Sequence, residues 1–464
     1  MNSWDIVIIG AGPAGMSAAI EARSHAASVF VLDEHSYAGG QIYKGASRAR
    51  PALLNALGPS YSAGAGLIEK FAESGTVHET RASVWHIDAE GIVVYSKDGR
   101  VHRVVAKRIV IATGAQERPF PVPGWTLPGV MSAGAAQIAL KTSQAAAPGA
   151  VFVGRGPLLF LIAAQYARLG VRVRAVIETT RFLNYVRAVG HPYSGLSGAR
   201  YIVTGLELIW TIRRAGIPIF FGASDVQIEG EDKVESLTFR QGGRWRRIDR
   251  LENVFLHQGV IPNLALAAAA GCRRSWDKDN LNWTIDVDQY GRSSQPRIFL
   301  AGDAATIIGA DCAPVSGELA ALAAAHQIAL VPDEAYRAKS ARLIAELRRK
   351  TGSRAFFEVL YRPIGKSHLP DCDGTVICRC EDIKLSDVRQ FVAAGGFDVN
   401  QFKSESRCGM GPCQGRMCGL TLSSILASEL DRDPRNMGPQ RVRPPVTPVP
   451  LKELATLLNQ PEAQ

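Results

Sequence analysis

The sequence predicts an α/β fold of two dinucleotide-binding units followed by a small helical, cysteine-rich module. Three observations predict it. A glycine-rich turn follows a short apolar strand near residue 5, a similar turn follows another strand near residue 150, and five of the eight cysteines fall between Cys378 and Cys418. At 464 residues the chain is long enough for two or three domains with sizeable cores. Apolar residues make up 46%, which excludes disorder along the whole length.

The first unit is a complete β-α-β pattern. Residues 5–9 (Asp-Ile-Val-Ile-Ile) read as a buried strand and Gly10-Ala-Gly12-Pro13-Ala14-Gly15 as a tight turn. The Ala-rich stretch to Ser24 reads as a helix, and Ser28 to Leu32 as a second strand ending in Asp33-Glu34. Gly10 allows the turn, Gly12 lets the backbone approach a pyrophosphate, and Gly15 lets the helix pack close to the strand. The helix N-terminus then faces the phosphates with its partial positive charge. An acid at the end of the second strand should bind a ribose. Counting forward from Gly15 favours Asp33 and counting back from Gly39-Gly40 favours Glu34, so both stand as candidates.

Further along, residues 92–95 and 100–105 read as a hairpin about Asp98-Gly99, and Arg108 to Ala112 as another buried strand. Gly39-Gly40-Gln41 closes a loop after the acid. Ile111-Ala112-Thr113-Gly114 ends a strand in a glycine turn, and Leu300-Ala301-Gly302-Asp303 ends another. The Asp303 carboxylate could accept hydrogen bonds from a ribityl chain, or be an ordinary turn aspartate. In this order the motifs resemble those of flavoproteins of the glutathione-reductase and thioredoxin-reductase type. The resemblance implies FAD and a two-dinucleotide-binding-domain flavoprotein, FAD/NAD(P)-binding and Rossmann-like.

The second unit comprises Val151–Val153, the turn Gly154-Arg155-Gly156-Pro157-Leu158-Leu159, a helix to about Leu169, and a strand from Val171 ending in Glu178. Leu159 stands where the third glycine belongs, so it should push the helix from the strand and crowd the site. Arg155 would contact a phosphate or solvent, and Glu178 would suit NADH better than NADPH. The expected domains are 1–145 with 285–332, a discontinuous FAD-binding domain, and 146–284, a NAD-binding-like domain. A helical linker at 333–370, a cysteine module at 371–435 and a tail at 436–464 complete the chain.

The module reads Cys378-Arg379-Cys380-Glu381 and then Cys413-Gln-Gly-Arg-Met-Cys418. Thiolates two apart on a loop can grip one iron, and a second pair at a helix start the other; zinc is the rival for four thiolates. Ser386 is a candidate helix cap, with Val388, Phe391 and Val392 on one face. Gly409, Gly411 and Gly415 would leave room and N–H groups for a cluster. Cys408 and Cys372 are surplus to a set of four, and Cys272 and Cys312 read as plain buried residues.

The formal net charge is +10, with basic clusters at Arg244–Arg247 and Arg342–Lys350. They read as solvated faces, or as docking points for an acidic protein or an anionic membrane; no nucleic-acid motif accompanies them. The longest uncharged run, Pro119 to Leu140, holds four prolines and three glycines and cannot form a regular spanning helix. A cytoplasmic location is expected, with a peripheral place on the inner face of the membrane as the alternative. In that compartment cysteines serve as ligands or buried thiols.

The run Thr113-Gly-Ala-Gln-Glu-Arg-Pro-Phe-Pro-Val-Pro-Gly-Trp-Thr-Leu-Pro-Gly-Val130, the Cys-Arg-Cys-Glu at 378–381, and Gly409-Met-Gly-Pro-Cys-Gln-Gly-Arg-Met-Cys418 resemble the alpha subunits of opine oxidases. Similar subunits occur in hydroxyproline and proline dehydrogenase complexes and in hydrogen cyanide synthase. The likeness runs over nearly the whole chain, including Arg441-Val-Arg-Pro-Pro. The module also resembles the bacterioferritin-associated ferredoxin fold, which usually separates its second cysteine pair by two residues where four intervene here. Position 408 is commonly alanine in the family, which supports the ligand set Cys378, Cys380, Cys413 and Cys418 for a 2Fe-2S cluster.

The resemblance implies an electron-transfer subunit of a complex oxidising the C–N bond of a secondary amine or amino acid. Its partner would be an amino-acid-oxidase-like flavoprotein β subunit, with a small third subunit in some complexes and an FMN at the interface in many. Electrons would leave for a respiratory acceptor. In related subunits the first site sometimes holds another adenine nucleotide. No catalytic acid, base or nucleophile is assigned. The competing reading is a stand-alone NADH-dependent iron–sulfur reductase, against which Leu159 argues.

Overall fold

Ile6 to Ile9 are buried on both faces, and such a run is stable only inside a parallel sheet covered on both sides. A computed structural model, describing residues 2–189, 199–352, 354–363 and 369–459, shows that sheet. It contains β1 (Asn2–Ile9), β2 (Val29–Asp33), β3 (Val77–Thr80), β4 (Ser83–Ile87), β5 (Ile92–Lys97) and β6 (Arg100–Ile111), in the order β3-β2-β1-β6-β5-β4. Helix α1 (Pro13–Ser24) joins β1 to β2. The hairpin expected at Asp98-Gly99 is present, with φ of 47° and 76° at those two residues. Its second arm and the strand expected at Arg108–Ala112 are one continuous strand, β6. The first half of β6 pairs antiparallel with β5 and its second half parallel with β1.

The second sheet is built on β8 (Val130–Ser132), β9 (Ala150–Gly154), β10 (Val173–Glu178) and β11 (Val254–His257), with α2 (Pro157–Arg168) after β9. The chain leaves the first sheet through β7 (Ala115–Glu117) and returns through β12 (Val260–Pro262). These two strands pair antiparallel, Gln116 opposite Ile261. Pairing therefore carries the exchange to the second unit ahead of residue 130 and the return to about residue 262, both earlier than the expected 145 and 285. The reason is that β8 has only three residues, too few for a periodic signal. Leu266, Ala267, Cys272 and Ile285 already pack in the core of the first sheet.

β13 (Ile298–Leu300) then lies parallel to the far half of β6. After it, α3 (Ala313–Gln327) crosses α1 with backbone against backbone. A Cβ on Gly317 would lie 2.0 Å from the Ala14 carbonyl oxygen, and one on Gly302 would lie 2.9 Å from Ala14 Cβ. Helices at Asp333–Thr351 and Arg354–Leu360 lead to the cysteine module. There α4 (Leu385–Ala393), α5 (Val399–Ser406) and α6 (Gly419–Glu429) close on Val388, Phe391, Phe402, Leu422 and Ile425.

Ser386 does not cap α4. The cap residue is Lys384, whose backbone N–H is received by Asp387 at 2.7 Å, because the helix begins one residue before Ser386. Nor is the Pro- and Arg-rich tail a loose end. The Val446 N–H donates to the Trp85 carbonyl at 3.1 Å, and Val442, Val449, Leu454 and Leu457 lie on the first sheet's core. Among the described residues no helix is long and apolar enough to cross a membrane.

Gly317→Val should force α3 off α1, a cost of about 1–3 kcal/mol. Chemical denaturation should register that loss, whereas Gly66→Ala, at a position where a Cβ meets nothing within 4 Å, should change little. Equal stability of the Gly317 variant and the wild type would refute the close crossing.

Candidate functional site

The carboxyl ends of β1, β2, β6 and β13 converge on one edge of the first sheet, where ligands of such folds bind. Gly10 has φ of 105°, and a Cβ there would strike the Ala112 carbonyl oxygen at 2.5 Å. Gly15 is tighter, its Cβ position lying 1.8 Å from the Gly10 carbonyl oxygen. Gly12, by contrast, faces only the Gly40 Cα at 3.8 Å, and Gly114 has nothing within 4 Å. These two glycines leave the open cradle a dinucleotide backbone needs. Gly12 is the N-cap of α1 and Pro13 opens its first turn, with no side chain capping the exposed N–H groups. The cradle fits an adenine dinucleotide.

The two acids separate. Both Asp33 oxygens are already used, Oδ2 by the Ala11 N–H at 2.5 Å and Oδ1 by the His35 N–H at 2.7 Å. Asp33 thus locks the glycine turn from inside, while Glu34 is exposed beside it. Thr113 Oγ1 donates to the Asn263 carbonyl at 3.2 Å, and the Asn263 N–H returns to the Gly114 carbonyl at 3.0 Å. Asp303 is half-buried, and its Oδ1 receives the N–H groups of Ile308 and Gly309 at 2.7 and 2.8 Å. Among the described residues its second oxygen has no hydrogen-bond partner.

Lys141 has no sequence signal. It reaches from the helix at Ala133–Ser143 and donates to the carbonyls of Gln41 and Ile42, both at 3.0 Å. Burial, with Lys44 nearby, holds this ammonium down at about 8. It supports the Gly39-Gly40-Gln41 loop, whose Gly40 packs on Gly12.

The second nucleotide turn has a different fate. Leu159 is fully buried with Phe152, Ala136 and Leu140, so it crowds the packing beneath α2 and not the mouth of the cleft. The mouth is filled by the chain itself. Asn184 Nδ2 donates to the carbonyls of Leu360 and Arg362, both at 2.9 Å. Arg155, almost wholly buried, points Nη1 at the same Arg362 carbonyl at 3.5 Å and meets neither phosphate nor solvent. Glu178 is 0% exposed; its oxygens receive the Thr180 N–H at 2.9 Å and the Tyr185 hydroxyl at 3.3 Å. Burial pushes its carboxyl above the usual range despite those donors, and pushes Tyr185 and Tyr361 beside it upward too.

The cysteine module brings five thiols together. Cys378, Cys408 and Cys418 are buried, with their Sγ atoms all within 4.8 Å of one another. Cys380, exposed, hydrogen-bonds Cys413. The thiols therefore meet across the two segments, Cys380 with Cys413 and Cys378 with Cys418, and not within each segment as their spacing suggests. Cys408, which the spacing leaves out, joins the inner group. The S–H groups of Cys408 and Cys418 both donate to Cys378, and with the Gly409 and Glu381 N–H groups they hold it far below the thiol range. That gives the pocket one ready thiolate. Four or five converging sulfurs suit an iron–sulfur cluster or zinc.

The glycines serve the pocket indirectly. A Cβ on Gly409 or Gly415 would strike Gln440 Oε1 at 2.4 and 2.7 Å, and one on Gly411 would strike Cys380 Cβ at 2.3 Å. Gln440, from the tail, fills the first two gaps and donates to the Cys408 carbonyl at 3.1 Å. The module docks on β7, the strand leaving the Thr113-Gly114 turn. Gln116 Nε2 donates to the Arg416 carbonyl at 2.9 Å, and Trp125 Nε1 to the Val376 carbonyl at 2.7 Å.

Lys141→Met should leave two loop carbonyls unmet and lower stability by about 1–2 kcal/mol. The wild-type lysine loses its proton near 8 when folded but near 10.5 when unfolded, so between those values the unfolded chain holds more protons. Wild-type stability should therefore rise with pH relative to Lys141→Met across that window. Parallel melting profiles of the two proteins would contradict this.

Residues 4–329 match the family described as pyridine nucleotide-disulphide oxidoreductase, and residues 374–457 match the sarcosine oxidase A3 domain. The chain is 40% identical to the alpha-type (A) subunit of opine oxidase from Agrobacterium tumefaciens, over 98% of this chain and 92% of that one. It is 32% identical to the HcnB subunit of hydrogen cyanide synthase from Pseudomonas aeruginosa, over 97% and 98% of the two chains. The crystal structure of L-proline dehydrogenase from P. horikoshii shares the fold with a TM-score of 0.70 at 19% identity, over 97% of this chain and 79% of that one. The T. acidophilum thioredoxin reductase shares it over 71% of this chain and all of that one, with a TM-score of 0.51 at 22% identity. A nucleotide cradle of the reductase kind thus carries a thiol pocket of the sarcosine oxidase kind, and the chain belongs to the pyridine nucleotide-disulphide oxidoreductase family, among the relatives of the opine oxidase alpha-type subunits.

Proposed function

We propose that this chain is the electron-transfer flavoprotein subunit of a heteromeric dehydrogenase or oxidase. The complex would oxidise the C–N bond of a secondary amine or amino acid of the opine, hydroxyproline or proline type. The observation that carries the reading is the docking of the cysteine module on β7, which sets the thiol pocket beside the strand that leaves the first nucleotide turn. Relatives named as subunits support a heteromeric assembly.

In this reading FAD occupies the first cradle. Gly12 and the start of α1 receive the pyrophosphate, Glu34 the ribose, Gly40 and Gln41 close the loop, and Asp303 accepts from the ribityl chain. Cys378, Cys380, Cys413 and Cys418 hold a 2Fe-2S cluster. When bound, the flavin accepts electrons in pairs and the cluster passes them singly. Substrate oxidation belongs to an amino-acid-oxidase-like β subunit, with FMN at the interface, and electrons leave to a respiratory acceptor on the cytoplasmic side of the membrane. The filled second cleft speaks against a stand-alone NADH reductase, because Glu178 has no oxygen left for a ribose.

The complex should contain about two irons per copy of this chain and show flavin bands with those of the cluster. Stoichiometric zinc in place of iron would dispose of the cluster. In anaerobic stopped-flow mixing, an opine or hydroxyproline should bleach the partner's flavin but not this chain alone, and NADH should bleach neither quickly. Rapid bleaching of the isolated chain by the amine would overturn the division of labour, and bleaching by NADH would restore the reductase reading.

A further inference from the structure

Five thiols face one pocket where a set of four suffices, and the surplus falls on the buried side. Cys380 and Cys413 pair at the outer edge. On the inner side Cys378 has two partners, Cys408 and Cys418, with all three sulfurs within 4.8 Å of one another. Neither partner is the more accessible, since both are 0% exposed.

Both backbones are held in place. Cys408 follows Arg407 in the left-handed region at φ 63°; its N–H donates to Ser406 Oγ at 3.2 Å and its carbonyl accepts from Gln440. Cys418 is the N-cap of α6, and its carbonyl accepts the Leu422 N–H at 2.8 Å. The Gln440 carboxamide oxygen sits over Gly409, Gly415 and Gly419, beside both cysteines, and so fixes the two loops to each other. The thiols are thus delivered to the same depth, and exchanging one for the other calls for side-chain rotation only.

We propose that Cys408 and Cys418 are alternative ligands of the inner metal position. With Cys378, Cys380 and Cys413 constant, either thiolate completes the set, and the other remains a neutral S–H donor to the coordinated sulfurs. In the exchange one metal–sulfur bond forms as another breaks. The incoming thiol passes its proton to the departing thiolate, and the metal keeps its oxidation state. The proposal rests on the iron–sulfur reading above.

The test uses the full chain co-expressed with its partner, as wild type, Cys408→Ala, Cys418→Ala and the double variant. Circular dichroism and retained nucleotide verify folding, and Cys→Ser versions replace any alanine variant that does not fold. Each single variant should keep about two irons per chain. Electron paramagnetic resonance of the reduced samples should give different g-values for the two, because a different sulfur closes each cluster. The double variant should lose its iron. Loss of iron in Cys418→Ala with a wild-type spectrum in Cys408→Ala would make Cys408 a bystander and overturn the proposal. The reverse result, loss in both single variants, or iron retained in the double variant would overturn it equally. Wild-type protein holding zinc alone would instead sink the iron–sulfur reading, and zinc retention in the same three variants would then decide whether the two thiols are interchangeable.

Discussion

At the first nucleotide turn, backbone has to touch backbone. No side chain fits between Gly15 and the Gly10 carbonyl, or between Gly10 and Ala112. Because α1 can come that close, its unsatisfied N–H groups point into the cradle, and its outer side becomes a flat seat for α3 at Gly317. Asp33 fastens the turn from within. The strand β13, which precedes α3, is drawn back onto β6 by the same packing, although the second unit intervenes in the chain. One steric demand therefore organises the sheet edge, the helix pair and the point where the chain returns.

The parts legible in the sequence are those whose requirements are local. Gly10, Gly12 and Gly15 declare themselves because spacing alone meets the steric demand. The density of cysteines likewise declares a metal pocket, but spacing cannot show which sulfur meets which. The two segments fold against each other, so Cys380 finds Cys413 and Cys408 joins Cys378 and Cys418. The choice between Asp33 and Glu34 is open in the sequence for a similar reason. It turns on which carboxylate faces the Ala11 N–H, a matter of strand twist rather than of counting. Lys141 and Gln440 give no signal at all, since each acts on a loop far away in sequence.

The second unit shows the limit of motif reading. Leu159 in the third glycine position marks a turn that departs from a working dinucleotide site, yet the Leu159 side chain is not what fills the cleft. Arg362 and Leu360 do, engaged by Asn184 and Arg155. Their carbonyls satisfy the donors, and Tyr185 and Thr180 satisfy the acid. A buried carboxylate with both oxygens occupied is a stable arrangement only while those neighbours remain in place.

The docking contacts also impose a timetable on the newborn chain. The thiols of residues 378 to 418 are translated after both nucleotide units, and they settle on Gln116 and Trp125, which exist as a platform only once β7 and β12 have paired. The peg that joins the two cysteine loops, Gln440, emerges from the ribosome later still. Metal delivered before that moment meets loose thiols, and metal delivered after it meets a shaped pocket. Maturation of this protein is thus ordered from its amino end to its carboxyl end, with the last few residues acting as the latch.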